Sequence, residues 1–317
     1  MSIRFLGTGS YVPENVVTNK DLSKLVDTSD EWIVQRVGVK ERHISTGETA
    51  EEFAANAAKR ALIAAGIFAD EIDLIIAATI SSECLCPTVA GYVQKAIGAV
   101  CPAFDINSAC SGFLFALETA VSYLARPGYE KILVIGSERM SKLVDWSDRS
   151  TCVIFGDGAG AAVLGKGDGY LSSFISTYGG NEVIEIPSFN GSSPFYKKDA
   201  KHPYIFMDGQ ETFKFAVNRI VEDIKKVTYD AGLLLEDIDY VVTHQANVRI
   251  IEFASKRLRI PLEKFVINID KYGNTSSASV PMALDELARS GKLKRGDKIV
   301  MSAFGGGLSS AACIIEW

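Results

Sequence analysis

The stretch FDINSACSGFLFAL, residues 104–117, joins a predicted strand to a predicted helix on either side of one thiol. Phe104 and Ile106 alternate with polar neighbours as in a strand, and apolar residues from Phe113 onward repeat at helical spacing. Cys110 then lies at a helix start, where unpaired backbone N–H groups favour a thiolate and can hold an oxyanion. We interpret Cys110 as a nucleophile, but a small buried core residue fits this stretch equally well.

The composition limits the class of protein. The chain has 317 residues, 47% hydrophobic and 23% charged, enough to bury a large core and to form two modest domains. A formal net charge of -6 argues against a general nucleic-acid surface. The sequence has neither an apolar run long enough to cross a bilayer nor the start of a signal peptide. We therefore expect a cytoplasmic protein without nucleic-acid or membrane partners.

The cysteines do not indicate disulfide or metal chemistry. Six cysteines in a chain of this length do not make a disulfide scaffold. Cys84 and Cys86 have no second pair at the spacing of metal ligands. We expect reduced thiols and no metal site.

An internal duplication organises the chain. Residues 59–79, KRALIAAGIFADEIDLIIAAT, align with residues 225–245, KKVTYDAGLLLEDIDYVVTHQ, so that Gly66 falls on Gly232. Strands and helices alternate in step beyond each copy, which favours two similar α/β layers with mostly covered sheets. We predict two halves, residues 1–168 and residues 169–317.

Three polar residues fall on loops that the duplication makes equivalent. Cys110 begins a helix in the first half, Asn274 precedes the equivalent helix in the second, and His244 follows a strand. Equivalent loops of two halves that pack together should lie near one axis. A lone histidine at a strand end is more often a hydrogen-bonded core residue. A thiol with two hydrogen-bond donors nevertheless suits acyl transfer, so we expect the three side chains to meet.

A helix is also predicted near residue 28. Thr28 and Glu31 have the spacing of a capping box, in which Thr28 is the N-cap of the helix. Trp32 and Arg36 would then share one helix face. Such a pair is usually surface packing, but it would suit a flat base with phosphates nearby.

Six motifs together resemble one family, the β-ketoacyl-acyl-carrier-protein synthase III enzymes that begin bacterial fatty-acid synthesis. The resemblance covers essentially the whole chain and implies a thiolase fold, with two duplicated halves stacked as five layers (αβαβα) and a homodimer. The motifs are TSDEWIVQRVGVKERHI (28–44), DINSACSGF (105–113), DWSDRSTCVIFGDGAGA (145–161), THQANVRI (243–250), YGNTSSASVPMAL (272–284) and AFGGG (303–307).

The resemblance also implies a mechanism. Cys110 would take an acyl group from an acyl-CoA primer, and malonyl-acyl carrier protein would then lose carbon dioxide and attack that acyl group. His244 and Asn274 would donate hydrogen bonds to the malonyl thioester oxygen. The backbone amides of Cys110 and Gly306 would form the oxyanion hole for acyl transfer.

Binding residues follow from the same resemblance. Trp32 and Arg149 would sandwich the adenine of coenzyme A, with Thr28 and Arg36 nearby. Coenzyme A thioester is a substrate here, and no permanently bound cofactor is expected. The residues that would line the tunnel for the pantetheine arm are Met207, Gly209, Ala246, Asn247, Ile250 and Phe304.

Two surface features complete these expectations. Lys214, Arg249 and Lys256 would form a basic rim for the acidic carrier protein, although any one of them could be a solvated surface residue. Cys86 stands where many relatives carry a phenylalanine that caps the partner subunit's acyl pocket. We expect a roomier pocket that accepts longer or more branched primers than acetyl.

Other functions remain open at this point. A degradative thiolase would need a second catalytic cysteine in the glycine loop, and residues 304–308 contain none. A condensing enzyme of secondary metabolism would carry the same Cys-His-Asn set. A non-catalytic acyl-CoA or carrier-protein binding module is a further alternative, which the retention of all three polar residues disfavours.

Overall fold

The structure is a computed structural model that describes residues 3–180, 182–187, 194–195 and 203–317. In these residues the strands are β1 (Ile3–Tyr11), β2 (Val16–Thr18), β3 (Glu41–His43), β4 (Leu74–Ala78), β5 (Ala103–Ile106), β6 (Lys131–Arg139), β7 (Asp157–Lys166), β8 (Tyr170–Thr177), β9 (Ile184–Glu185), β10 (Phe206–Met207), β11 (Tyr240–Thr243), β12 (Phe265–Val266), β13 (Lys298–Gly305) and β14 (Ser309–Glu316). The helices are α1 (Asn19–Leu22), α2 (Asp30–Arg36), α3 (Ala50–Ala65), α4 (Val89–Ile97), α5 (Gly112–Leu124), α6 (Arg149–Cys152), α7 (Gly209–Asp230), α8 (Val248–Leu258), α9 (Ile269–Tyr272) and α10 (Ser279–Arg289).

The two large sheets repeat one topology. The first has the order β1-β7-β6-β4-β5, and the second has the order β12-β11-β13-β14-β8. In each sheet three neighbouring strands pair in parallel and the other two pairings are antiparallel, so β4 corresponds to β11 and β6 to β13. The predicted duplication is therefore confirmed. The division into separate units, 1–168 and 169–317, stays a prediction.

Alternating strand residues build the layers. In β6, Ile132 and Val134 pack into a central cluster with α5 and α10, whereas Leu133 and Ile135 pack against α3 and α4 on the other face. Strands of the second sheet enter the same central cluster, and their opposite faces pack on α7 and α8. The five layers are helices, sheet, helices, sheet and helices, as the resemblance implied.

The helix near residue 28 begins one residue later than the sequence predicts. Ser29 is the N-cap of α2, and its Oγ accepts a hydrogen bond from the Trp32 backbone N at 3.2 Å. The capping box with Thr28 is therefore wrong. An N-cap at Thr28 would bond the Glu31 N–H, one residue earlier, but the helix begins one residue later and Ser29 caps it instead. The Thr28 hydroxyl is buried and finds no hydrogen-bond partner among the described residues.

Candidate active site

Cys110 lies where the sequence predicts, between a strand and a helix. β5 ends at Ile106, a short 3₁₀ turn covers Ala109–Ser111, and α5 begins at Gly112. Ala109 has φ of 44°, in the left-handed region that side chains other than glycine rarely adopt. Backbone strain of this kind persists only where the surrounding structure enforces it. The turn thus holds the thiol in a fixed direction.

One cavity brings together residues from both halves. It encloses about 200 Å³ and is lined mainly by apolar side chains, with Cys110, His244 and Asn274 among the few polar ones. Of the residues expected at the site, the cavity is lined by Cys110, His244, Asn274, Gly306, Met207, Gly209, Ala246, Asn247, Ile250 and Phe304.

His244 follows β11 and is almost completely buried. Its backbone N donates to Ser302 O at 2.8 Å, and its Nδ1 lies 2.7 Å from Ser279 Oγ. Burial lowers the pKa of the imidazole to about 3, so the ring is neutral at physiological pH. Its edge packs against the Phe304 ring, with 5.2 Å between the centroids.

The Ser279 hydroxyl decides which nitrogen of His244 carries the proton. Ser279 Oγ lies 2.9 Å from Ser276 O, to which it can donate its single proton. In that state it accepts from Nδ1–H, and Nε2 is an acceptor. If the hydroxyl turns and donates to Nδ1, Nε2 carries the proton and becomes a donor. The expected role of His244 as a donor requires this second state.

Asn274 is fixed with its amide nitrogen available. Its Oδ1 accepts from Ser276 N at 2.8 Å, while its backbone N donates to Ile154 O at 2.9 Å. Its backbone O accepts from Gly156 N at 3.1 Å. Because the side-chain oxygen is occupied, the –NH₂ group is the part of Asn274 that can serve a substrate oxygen.

Burial of Cys110 opposes the thiolate that the N–H groups at a helix start favour. Burial raises the pKa of Cys110 to about 12, and the carboxylate of Glu138 acts in the same direction. The Ser276 hydroxyl is close enough to lower the pKa by hydrogen bonding, but the desolvation of the charged form outweighs it. Acyl transfer from this resting state needs a group that accepts the thiol proton.

The glycine loop approaches the nucleophile closely. A Cβ added to Gly305 would lie 2.7 Å from Cys110 N, so only glycine fits at this position. Gly306 lines the cavity, and Gly307 has φ of 136°. The loop thus brings backbone beside the sulfur, which is the arrangement that an oxyanion hole needs.

The residues expected to bind adenine lie outside the cavity lining. The guanidinium carbon of Arg149 lies 4.9 Å from the centroid of the Trp32 ring, and its NH1 donates to Asp27 O at 2.7 Å. A base between them would need roughly 7 Å, two contacts of 3.5 Å each. Trp32 and Arg149 are therefore too close together to hold a base between them. Binding of a base requires Arg149 to move. Arg36 O accepts from Asn247 Nδ2 at 3.0 Å, which connects α2 to the cavity wall.

The expected carrier-protein residues are exposed. Arg249 and Lys256 both lie on the exposed side of α8. Lys214 lies on α7, where its Nζ is 3.8 Å from Glu211 Oε2. The guanidinium carbon of Arg249 lies 5.8 Å from the ring centroid of Phe213, a cavity residue. The basic rim thus begins near the cavity.

Cys86 does not line the cavity of its own chain. It is exposed in the loop after β4. The role expected for it in a partner subunit stays a prediction.

Sequence analysis missed two parts of the site. The first is a set of isoleucines on the cavity wall, from loops and short strands without a motif: Ile80, Ile154, Ile184, Ile186 and Ile205. The second is Glu138, a carboxylate without solvent exposure near the end of β6. A charged residue at the end of an apolar strand, in KILVIGSE, is the signal that could have identified it.

No described helix is both long enough and apolar enough to span a membrane. The described histidine, cysteine and carboxylate side chains form no cluster that could hold a metal ion.

Comparison with known proteins identifies the family. Two family profiles match the chain. The profile of 3-oxoacyl-acyl-carrier-protein (ACP) synthase III matches residues 104–179. The profile of the C-terminal part of the same enzyme matches residues 229–317. A curated relative from Clostridium acetobutylicum, beta-ketoacyl-acyl-carrier-protein synthase III, is 50% identical over 100% of this chain and 99% of its own length.

Solved structures agree with this relationship. The crystal structure of 3-oxoacyl-acyl-carrier-protein synthase III from Aquifex aeolicus has a TM-score of 0.91 and 45% identity, over 99% of this chain and 100% of that one. The crystal structure of the priming beta-ketosynthase of the R1128 polyketide pathway has a TM-score of 0.93 and 36% identity, over 99% of this chain and 96% of that one. The chain belongs to the β-ketoacyl-acyl-carrier-protein synthase III family.

Proposed function

We propose that the chain is an acyltransferase, a condensing enzyme that initiates fatty-acid synthesis. It takes an acyl group from an acyl-CoA primer and condenses it with malonyl-acyl carrier protein, giving 3-oxoacyl-acyl carrier protein. The observation that carries this proposal is the meeting of Cys110, His244 and Asn274, from three distant segments, in one apolar cavity.

In the first half-reaction, Cys110 Sγ attacks the thioester carbon and coenzyme A leaves as the thiol. The oxyanion that forms on the carbonyl would receive hydrogen bonds from the backbone amides of Cys110 and Gly306. Such donors act strongly in a cavity that excludes water. The close approach of Gly305 to Cys110 supports this role for the glycine loop.

In the second half-reaction, malonyl-acyl carrier protein loses carbon dioxide and its carbanion attacks the acyl group on Cys110. Negative charge grows on the malonyl thioester oxygen. The free –NH₂ of Asn274 and the Nε2–H form of His244 would stabilise it, and each donor of this kind contributes about 3 kcal/mol. The two residues would matter less for the first half-reaction.

Coenzyme A thioester binds as a substrate, and the enzyme uses no resident cofactor in this proposal. The adenine would stack between Trp32 and Arg149 after Arg149 swings away, with Thr28 and Arg36 beside it. Residues proposed for the pantetheine arm are Met207, Gly209, Ala246, Asn247, Ile250 and Phe304.

Lys214, Arg249 and Lys256 would attract the acidic carrier protein to the cavity entrance. The proposed enzyme is cytoplasmic and acts as a homodimer, in which Cys86 reaches the partner subunit's acyl pocket. A thiol in place of a large ring would leave room for longer or branched primers. Initial rates that fall steeply beyond an acetyl primer would contradict this role.

Mass spectrometry of the Cys110 peptide after mixing with acyl-CoA tests the proposal. We expect an acyl adduct on Cys110, and turnover to 3-oxoacyl product once malonyl-carrier is added. A protein that binds acyl-CoA without forming the adduct would be a binding module, which would contradict the enzyme proposal.

Priming a secondary-metabolite pathway is a second candidate function. It is favoured by the similarity to the priming ketosynthase of the R1128 polyketide pathway, at 36% identity over nearly the whole chain. Turnover with a panel of primers and with carrier proteins from each kind of pathway separates the two. Preference for a polyketide carrier would support the second.

A further inference from the structure

Glu138 is a buried carboxylate that the proposed reaction leaves unused. It has no solvent exposure, and no cation forms an ion pair with it among the described residues. Instead, it accepts hydrogen bonds from hydroxyl groups and one backbone N. The bonds come from Ser81 Oγ at 2.5 Å, Ser277 Oγ at 2.7 Å, Ile80 N at 3.1 Å, Ser276 Oγ at 3.2 Å and Thr79 Oγ1 at 3.4 Å.

Burial of the Glu138 carboxylate without a cation is energetically costly. Removing an unpaired charge from water costs several kcal/mol, which hydroxyl donors only partly offset. Burial accordingly raises the pKa of Glu138. A carboxyl group with a raised pKa beside an active-site cavity is well suited to accept and return a proton.

Ser276 connects Glu138 to the candidate catalytic residues. It is fully buried and has φ of 49°, so its strained backbone is held in place by its surroundings. Its N donates to Asn274 Oδ1, and its O accepts from the Ser279 hydroxyl that contacts His244. Its own hydroxyl donates to Glu138 at 3.2 Å, and the turn Ser276–Ala278 that carries it packs against the turn Ala109–Ser111 that carries Cys110.

We propose that Glu138, acting through the Ser276 hydroxyl, accepts the Cys110 thiol proton during acyl transfer. The proton of the thiol passes to Ser276 Oγ as the Ser276 proton passes to Glu138. The Sγ–carbon bond forms, the bond from carbon to the coenzyme A sulfur breaks, and the leaving thiolate is protonated by the proton returned along the same path. The carboxylate is thereby restored, and no other reactant is needed.

The alternative acceptor is His244, and electrostatics disfavours it. With a pKa of about 3, the imidazole is a weak base, and its protonation would create a separated ion pair in an apolar cavity. Transfer from the thiol to Glu138 moves one negative charge from the carboxylate to the sulfur, and it creates no additional charge. Glu138 acts through Ser276 and does not touch the substrate, so it is a positioning residue for the proton.

The inference rests on the proposed function and is tested on the first half-reaction alone. Rapid mixing with acetyl-CoA, followed by quenching and intact mass spectrometry, gives the acylation rate of Cys110. Glu138→Gln keeps the size of the side chain and one acceptor oxygen, replaces the other oxygen with a donor –NH₂, and cannot accept the proton. We expect acylation to fall about 10²- to 10⁴-fold, the usual contribution of a positioned acid or base.

The matched pair Ser276→Ala and Ser277→Ala separates proton transfer from support of the carboxylate. Both variants remove one hydroxyl from Glu138 Oε1. In the proposed path only Ser276 also exchanges a proton with Cys110. We expect Ser276→Ala to acylate as slowly as Glu138→Gln, and Ser277→Ala to stay within about threefold of the wild type. Ser276→Ala also decides the matter if Glu138→Gln does not fold.

The pH dependence of acylation distinguishes proton acceptance from a structural role. His244 stays neutral over the range, and Glu138 is the charged group that acts on Cys110. We expect the rate of Glu138→Gln to rise nearly tenfold per pH unit from pH 7 to 9.5, as free thiolate becomes available. The wild type should rise less steeply.

Three results would overturn the inference. Acylation of Glu138→Gln at the wild-type rate would do so, as would equal effects of Ser276→Ala and Ser277→Ala. A loss by the same factor at every pH would show that Glu138 only supports the fold. If the wild type itself forms no acyl adduct, the proposed function fails, and the inference with it.

Discussion

The two halves of the molecule place the same turn against the same strand end, but with different residues. Pairing of β4 with β6, and of β11 with β13, makes Glu138 equivalent to Gly305. The turns Ala109–Ser111 and Ser276–Ala278 precede the equivalent helices α5 and α10. Both turns carry a residue with positive φ at the same place, Ala109 and Ser276.

The packing at these turns is reciprocal. Glu138, in the first half, contacts the turn of the second half, through Ser276 and Ser277. Gly305, in the second half, lies against the turn of the first half, at Cys110. One turn therefore has a carboxylate beside it, and the other has glycine backbone packed directly against Cys110. The two halves thus share one backbone arrangement, but they differ in the residue at this strand end, which is charged in the first half and lacks a side chain in the second.

The largest expected effect comes from the sulfur that only the first turn carries. Cys110→Ala should lower both half-reactions at least about 10⁴-fold, because the nucleophile of a covalent mechanism is lost. Ser277 occupies the equivalent position in the second turn, and Ser277→Ala should retain turnover. Rates of 3-oxoacyl product formation check both. Comparable turnover of Cys110→Ala and Ser277→Ala would refute the assignment of the nucleophile.

Adding a side chain at Gly305, where the backbone packs against Cys110, should be the next most damaging change. The Cβ of Gly305→Ala would lie 2.7 Å from Cys110 N and 3.1 Å from Cys110 Cβ. We expect about 1–3 kcal/mol of destabilisation from this overpacking, and an acylation rate at least about tenfold lower. Gly180→Ala is the control, since its nearest neighbour, Leu308 Cγ, would be 3.6 Å away. Equal acylation by the two variants would contradict the close packing.

Burial of His244 should give folding stability a distinct pH dependence. Its pKa is about 3 in the folded chain and about 6.5 when unfolded, so between these values only the unfolded chain binds the proton. Stability therefore falls as the pH falls, by about 2 kcal/mol between pH 6.5 and pH 5. The position equivalent to His244 is Ala78, which has no such effect.

Urea unfolding of the wild type and of His244→Gln at pH 6.5 and pH 5 measures this contribution. Other buried groups, such as Glu138 and Asp157, cancel in the difference between the two proteins. The wild type should lose about 2 kcal/mol more than the variant over this range. The same loss in both would mean that His244 is not buried as a neutral ring.

The smallest expected effect concerns the carrier protein. Lys256→Glu, on the basic rim of the second half, should raise the KM for malonyl-carrier about three- to tenfold with little change in kcat, because surface charges mainly steer association. Lys59→Glu, on α3 of the first half, makes the same charge change away from the rim. Salt should reduce the difference. A KM that rises equally in both variants would place the carrier elsewhere.

Much of the fold could be predicted from the sequence because the duplicated segments keep the same order of apolar strands and helices. The positions of Cys110, His244 and Asn274 followed from equivalent loops. The predicted start of α2 was wrong by one residue, since Thr28 and Ser29 are neighbours that are both suited to the N-cap position.

The chemistry of the site was less predictable, because it depends on burial that only the packed structure reveals. The backbone at Cys110 suggests a thiolate, but desolvation raises the pKa of the thiol to about 12. Glu138 belongs to a strand whose apolar residues dominate the pattern. Its contact with Ser276 joins two residues 138 positions apart, which no local pattern specifies.

The most direct test of the account is to follow the acyl group on Cys110 in the Asn274→Ala variant. Enzyme acylated with labelled acetyl-CoA is mixed with malonyl-acyl carrier protein, and the adduct is measured by mass spectrometry over time. We expect Asn274→Ala to be acylated at nearly the wild-type rate. The adduct should then be lost to product about 10²- to 10³-fold more slowly than in the wild type. Equal slowing of both steps, or no slowing of the second, would contradict the division of labour between Cys110 and Asn274.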